Sequence, residues 1–99
     1  MPVLHIDLQE GFDQDAVTIL VNDQPVFHKD LVSTRMQIGL ADRAQTEISP
    51  GAATVNISLP EKRLSASIPV RIDGETYLGV SVEENSITHR ISTSPFQYM

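Results

Sequence analysis

Apolar residues at every second position are the feature of this chain that most constrains its fold. The longest such run spans residues 64–72 and ends at Asp73-Gly74. In an extended strand, residues two apart lie on the same face, so the pattern predicts a strand with one apolar and one polar face. Similar runs, broken by turn residues at intervals of about ten residues, predict seven to nine short strands.

Strands of this kind must bury their apolar faces against a second layer. The sequence therefore predicts an all-β fold, a two-sheet antiparallel β-sandwich of the immunoglobulin-like or transthyretin-like kind. A chain of 99 residues is long enough for one core, so residues 1–99 are expected to form a single β-sandwich domain. With three Phe, two Tyr and no Trp, that core should consist mainly of aliphatic side chains.

Turn residues predict how neighbouring strands connect. Asn22-Asp23 is expected to form the tight turn of a hairpin over residues 16–29, because both residue types tolerate left-handed backbone geometry. Asp73-Gly74 and Glu84-Asn85 are expected to join the last three runs into a three-strand meander. Pro69 cannot donate to a ladder, which predicts an edge or bulged strand.

Residues 30–49 give the weakest pattern of the chain. Alternation is brief over Met36–Leu40, and one or two short strands fit this region better than a helix. The alternative is a helix over Leu40–Glu47, whose residues tolerate a helix but lack an apolar face at helical spacing.

Composition and charge exclude several classes of function. The chain has no Cys, and hence no disulfide or thiol nucleophile. Its net charge of −6, without a basic stripe, disfavours nucleic acid as a partner. Because no apolar run approaches the length of a membrane span and no signal-like segment opens the chain, we expect a soluble cytoplasmic protein with no membrane contact.

The order of elements over residues 16–59 resembles the PEGA family of small β-sandwich modules. In that family a strand ending in a polar turn is followed by a Pro-Gly breaker and an alternating strand. The matching segments are residues 17–23, Val-Thr-Ile-Leu-Val-Asn-Asp, and residues 49–59, which begin Ser-Pro-Gly. The chain lacks the Asp-Gly that usually follows the first strand of the family. The resemblance implies a non-catalytic accessory or surface-associated module.

Four acids near the first predicted strand are the best candidates for metal ligands. Carboxylates are the ligands that calcium prefers, so a calcium- or carbohydrate-binding loop is the alternative function, although the EF-hand spacing is absent. The candidates are Asp7, Glu10, Asp13 and Asp15. The three histidines are not spaced as metal ligands, and His89, in phase with Ile87 and Ile91, is expected to be partly buried. A solvated acidic loop is favoured over a site, and no cofactor is predicted.

The chain carries no sequence motif of a catalytic site, so it is not expected to be an enzyme. Its C-terminal segment, residues 94–99, holds Phe96 and Tyr98 and is a possible docking tail. These rings are expected either to fold back and close one end of the sandwich or to dock into a partner. The predicted function is a non-enzymatic binding or protein–protein interaction module, with self-association through an edge strand or the tail.

Overall fold

A computed structural model describes residues 1–35 and 37–98, most of which lie in eight β-strands. A 3-10 turn at Pro60–Lys62 connects the fifth strand to the sixth. The strands are β1 Val3–Leu8, β2 Asp15–Val21, β3 Gln24–Val32, β4 Asp42–Glu47, β5 Gly51–Leu59, β6 Leu64–Ile72, β7 Thr76–Glu83 and β8 Ser86–Ser92.

The strands form two four-stranded sheets, which confirms the predicted β-sandwich. Sheet I has the order β4-β1-β7-β8, and sheet II has the order β3-β2-β5-β6. All pairings are antiparallel except one, since β1 runs parallel to β7. This parallel pair departs from the expected antiparallel arrangement, and it places β1 in the middle of sheet I.

Two of the predicted tight turns are confirmed. Asn22 and Asp23 adopt φ values of 49° and 67° between β2 and β3, and Glu84 and Asn85 adopt 46° and 65° between β7 and β8. Two consecutive left-handed residues give the turn a twist that matches the twist of the flanking strands. Both hairpins are therefore set by local sequence.

The predicted meander over the last three strands is wrong. Strand β6 pairs with β5 at the edge of sheet II, whereas β7 lies in sheet I between β1 and β8. The segment Asp73-Gly74-Glu75 consequently carries the chain from one sheet to the other. Glu75 fixes this corner, because its carboxylate accepts a hydrogen bond from the backbone N–H of Val3 at 3.0 Å. An Asp-Gly turn can therefore connect two strands of different sheets as well as two paired strands of a hairpin.

Residues 30–49 contain one complete strand, β4, and the end of β3. The preference for strands over a helix is confirmed, and the alternative helix over Leu40–Glu47 is wrong. An isolated bridge between Arg35 and Leu40 precedes β4. The alternation predicted over Met36–Leu40 begins at a residue outside the described ones.

One apolar core lies between the two sheets, and its members are aliphatic apart from Phe12. Among the residues that the structure describes, ten have no exposure: Leu4, Ile6, Leu8, Val17, Ile19, Val55, Ile57, Leu59, Leu78 and Val80. The prediction for Pro69 is confirmed, since β6 is an edge strand. The core buries one face of each central strand. The outer faces of the two sheets are therefore the surfaces on which a functional site can lie.

An ion pair joins the two sheets where β3 lies against β4. Lys29 Nζ donates to Asp42 Oδ2 at 2.8 Å. Partial burial by itself raises the pKa of Asp42, but the hydrogen bonds from Lys29 and from the Arg43 backbone N–H outweigh it and hold that pKa below its ordinary value. The ion pair therefore links the two sheets along this side of the sandwich.

Candidate functional site

Two rows of residues cross the outer face of sheet I. The pairing register sets residues of four strands opposite one another, and side chains at paired positions share a face. The first row is Gln45, His5, Tyr77 and Ser92, and the second row is Arg43, Asp7, Gly79 and Arg90. In each strand the alternate residues that are apolar face the core, so the polar residues between them lie on the outer face.

His5 and Tyr77 form a stacked pair in the first row. Their ring centroids are 4.5 Å apart and their planes differ by 8°. The carboxylate of Glu75 lies 2.7 Å from His5 Nε2 and holds the imidazole in place. That hydrogen bond, followed by the bond from the Val3 N–H, lowers the pKa of Glu75. The stack is thus a fixed, flat surface beside the corner between the sheets.

Asp7 anchors the C-terminal segment to the second row. Its side chain is only 7% exposed. The Tyr98 hydroxyl donates to Asp7 Oδ2 at 2.6 Å and accepts from Gln9 Nε2 at 2.9 Å. Arg43 Nε lies 3.5 Å from Asp7 Oδ1, and the Arg43 guanidinium is 5.4 Å from the centre of the Tyr98 ring. Hydrogen bonds to a nearly buried carboxylate are strong, so these contacts hold the C-terminal segment against sheet I.

Phe96 lies across the same face of sheet I. The Phe96 ring covers the guanidinium of Arg90 at 4.5 Å, an attractive cation–π arrangement. Gly79 leaves room for the side chain of Gln9, since a Cβ at Gly79 would lie only 2.7 Å from Gln9 Oε1. Gly79 therefore permits the Gln9 side chain to reach Tyr98.

A cleft of about 370 Å³ remains between this segment and strands β1, β4 and β7. Its lining combines aromatic rings with hydrogen-bonding groups, and the Arg43 side chain is 60% exposed. The lining residues are His5, Asp7, Arg43, Ala44, Gln45, Tyr77, Pro95 and Phe96. Flat rings beside a few convergent polar groups are typical of binding sites.

The structure does not bring together the four acids considered as metal ligands. Asp7 is bound to Tyr98 on sheet I, whereas Asp15 accepts from Lys62 Nζ at 3.0 Å and from the backbone N–H of Asp13 at 2.9 Å. Glu10 and Asp13 are exposed. Within residues 1–35 and 37–98, no group of three His, Asp or Glu side chains is arranged to hold a metal ion.

The histidines lie on different parts of the molecule. His5 lines the cleft on the outer face of sheet I. His28 is exposed on β3, 2.9 Å from the Thr18 hydroxyl. The prediction that His89 is partly buried is wrong, because β8 is an edge strand and the ring is exposed.

The C-terminal rings fold back, as one alternative predicted, but onto the outer face of sheet I rather than over an end of the sandwich. Their role in partner binding stays a prediction. Sequence reasoning missed Arg43, Gln45 and Tyr77. Each occupies an outward-facing position of its strand, but only the order of the strands in sheet I shows that these residues line one cleft with His5.

No helix in the described part of the chain is long and apolar enough to span a membrane. A scan against protein-family models finds no match to this chain, and a search of curated proteins finds no significant relative. The resemblance of residues 16–59 to PEGA modules stays a prediction.

Proposed function

We propose that this chain is a non-enzymatic binding domain that engages a protein partner through the cleft on the outer face of sheet I. One observation carries the proposal: the cleft sets the stacked rings of His5 and Tyr77 and the ring of Phe96 beside the exposed guanidinium of Arg43. Aromatic residues and Arg are the types that dominate binding energy at protein interfaces.

The lining favours a partner group that is flat and carries a carboxylate nearby. Arg43 contacts Asp7 through Nε at 3.5 Å, which leaves the terminal nitrogens of its exposed side chain to donate to a second carboxylate. The rings of Tyr77 and Phe96 offer apolar surface to an aromatic side chain. A cleft of about 370 Å³ is at the small end of ligand sites, so we expect it to accept one aromatic residue of the partner, such as a chain-terminal one.

The ionisable side chains of the cleft are engaged with one another, which favours binding over catalysis. His5 is bound to Glu75, and Asp7 is bound to Tyr98 and Arg43. A general base needs access to a proton on its substrate. Here the imidazole and the nearly buried carboxylate both serve to hold the lining in position.

N-acetylphenylalanine, which has a free carboxylate, is expected to bind the cleft weakly and with millimolar affinity. Its amide, which lacks that charge, should bind about tenfold more weakly because Arg43 loses its ionic partner. The measurement is NMR titration of each compound against the whole chain. We expect chemical-shift changes at Tyr77, Phe96 and Gln45.

The Arg43→Gln variant should bind both compounds equally weakly. Arg71→Gln is the matched control, since Arg71 is an exposed arginine on β6 of the other sheet and should retain the preference for the carboxylate. Shifts scattered over the surface, or equal binding of the acid and the amide by the parent chain, would contradict the proposal. Stronger binding of neutral sugars than of either compound would do so too.

A further inference from the structure

Strand β8 pairs with β7 on one side, and its other side forms an edge of sheet I. We propose that two copies of this chain associate by antiparallel pairing of their β8 edges, centred on His89. The two copies of sheet I would then form one continuous sheet of eight strands. This inference is independent of the function proposed for the cleft.

The hydrogen bonds of β7 show which of its backbone groups turn away from β8. The carbonyl of Val80 accepts from the N–H of Gln9 at 2.7 Å, and the N–H of Val82 donates to the carbonyl of Glu10 at 2.8 Å. In a strand, the N–H and C=O of one residue point to the same side. Val80 and Val82 therefore direct both groups toward β1.

Their partners in β8 must direct their own groups the other way. Val80 is paired with His89, and Val82 with Ile87. His89 and Ile87 consequently point their N–H and C=O groups to the outer edge, and Ile91 does the same by the alternation of the ladder. Three residues thus offer six backbone groups to an incoming strand.

Two of the three residue pairs around His89 in β8 are identical, Ser86 with Ser92 and Ile87 with Ile91, whereas Thr88 matches Arg90. The seven residues of β8 are Ser-Ile-Thr-His-Arg-Ile-Ser. In an antiparallel pair centred on His89, Ile87 of each copy would lie opposite Ile91 of the other, and Ser86 opposite Ser92. The residues with outward backbone groups would face one another throughout, so all six groups of each strand would be bonded. A two-fold interface requires this kind of self-complementarity.

The other three edges of the sandwich carry features that resist pairing. Proline occurs within β3, at Pro25, and within β6, at Pro69. Strand β4 has three charged residues, Asp42, Arg43 and Glu47, among its six. Proline and charge are the usual means by which proteins protect an edge strand. Strand β8 contains no proline and a single Lys, Arg, Asp or Glu, Arg90, whose guanidinium lies against the Phe96 ring.

The apolar side chains of β8 are incompletely covered. Ile91 is 49% exposed, and Ile87 is only partly buried against the core. The pairing would bring two isoleucines of each copy together on one side of the sheet, which removes apolar surface from water. It would also place the outer faces of both copies of sheet I on the same side of the continuous sheet.

Sedimentation velocity on the whole chain, from micromolar to near-millimolar concentration, tests the pairing. We expect a monomer of 10.9 kDa that converts to a dimer as concentration rises. Added salt should strengthen the dimer, because each copy carries a net charge of −6. The His89→Pro variant should stay monomeric: it removes an outward N–H that takes no part in the β7 ladder.

Ser67→Pro is the matched control, since it places a second proline two residues from Pro69 on the edge of β6, and it should dimerise like the parent. A parent chain that is monomeric at every concentration, a His89→Pro variant that still dimerises, or open-ended oligomers would overturn the proposal. If His89→Pro does not fold, amide exchange of the parent decides. Protection of Ile87, His89 and Ile91 should rise with concentration, and unchanged protection would overturn it.

Discussion

Replacement of Gly11 by alanine is expected to lower the free energy of unfolding by about 3 kcal/mol. Gly11 follows β1 with a φ of 88°, a conformation that side chains with a Cβ rarely adopt. A Cβ at this position would lie 1.9 Å from the carbonyl oxygen of Val82, far inside van der Waals contact. The neighbouring hydrogen bond from Val82 N–H to the Glu10 carbonyl would have to open.

Thermal unfolding measures the effect, and a loss of this size should lower Tm by roughly 12 to 24 °C in a domain of about 100 residues. Gly39→Ala is the matched control. Its φ of 70° is similar, but among the described residues beyond its chain neighbours the closest atom to its added Cβ is Glu10 Oε1, at 3.7 Å. It should cost only about 1 kcal/mol, the strain of the backbone alone. Equal losses in the two variants would show that the contact with Val82 does not matter.

The strands and two hairpins could be predicted because their causes are local. Alternation of apolar residues over β2 or β5 depends on neighbours two positions away, and the Asn22-Asp23 turn depends on two residues. Pro69 marked an edge strand for the same reason, since the missing N–H is a property of the residue itself. These features depend little on the rest of the chain.

The assignment of strands to sheets could not be predicted in this way. An alternating pattern identifies which side chains face the core, but it does not say which of two facing sheets a strand joins. The segment after β6 therefore reads as a hairpin, although Glu75 in fact carries the chain across to sheet I. The parallel pairing of β1 with β7 joins residues about seventy positions apart, and no local signal encodes it.

The cleft depends on that same long-range pairing. His5 and Asp7 alternate with the apolar residues of β1, which is enough to place them on its polar face. The rings of Phe96 and Tyr98 could likewise be recognised as candidates for docking. Their meeting with Tyr77 and Arg43 requires β1 to lie between β4 and β7. The four acids illustrate the converse, because closeness in sequence suggested a cluster, whereas Asp7 lies on β1 of sheet I and Asp15 lies on β2 of sheet II.

Tyr98→Phe is expected to release the C-terminal segment and to lower the free energy of unfolding by about 1.5 kcal/mol. The change keeps the ring but removes the hydroxyl that donates to the nearly buried carboxylate of Asp7. Urea unfolding gives the stability, and amide exchange over residues 94–98 reports the release. In an Asp7→Asn background the effect should shrink, since the hydroxyl no longer meets a charged acceptor. Tyr77→Phe is the matched control, and it should leave the segment in place.

Alkaline pH should reproduce this loss in the parent chain. Partial burial, and then the hydrogen bond to Asp7, raise the pKa of Tyr98 above its ordinary value of 10.0. An unfolded chain loses this proton near the ordinary value while the folded chain keeps it. The contribution of Tyr98 to stability is therefore complete below about pH 10 and is lost as pH rises through the raised pKa. Tyr98→Phe should lack this component of the alkaline decline, and identical pH profiles for the two chains would show that the hydroxyl does not hold the segment.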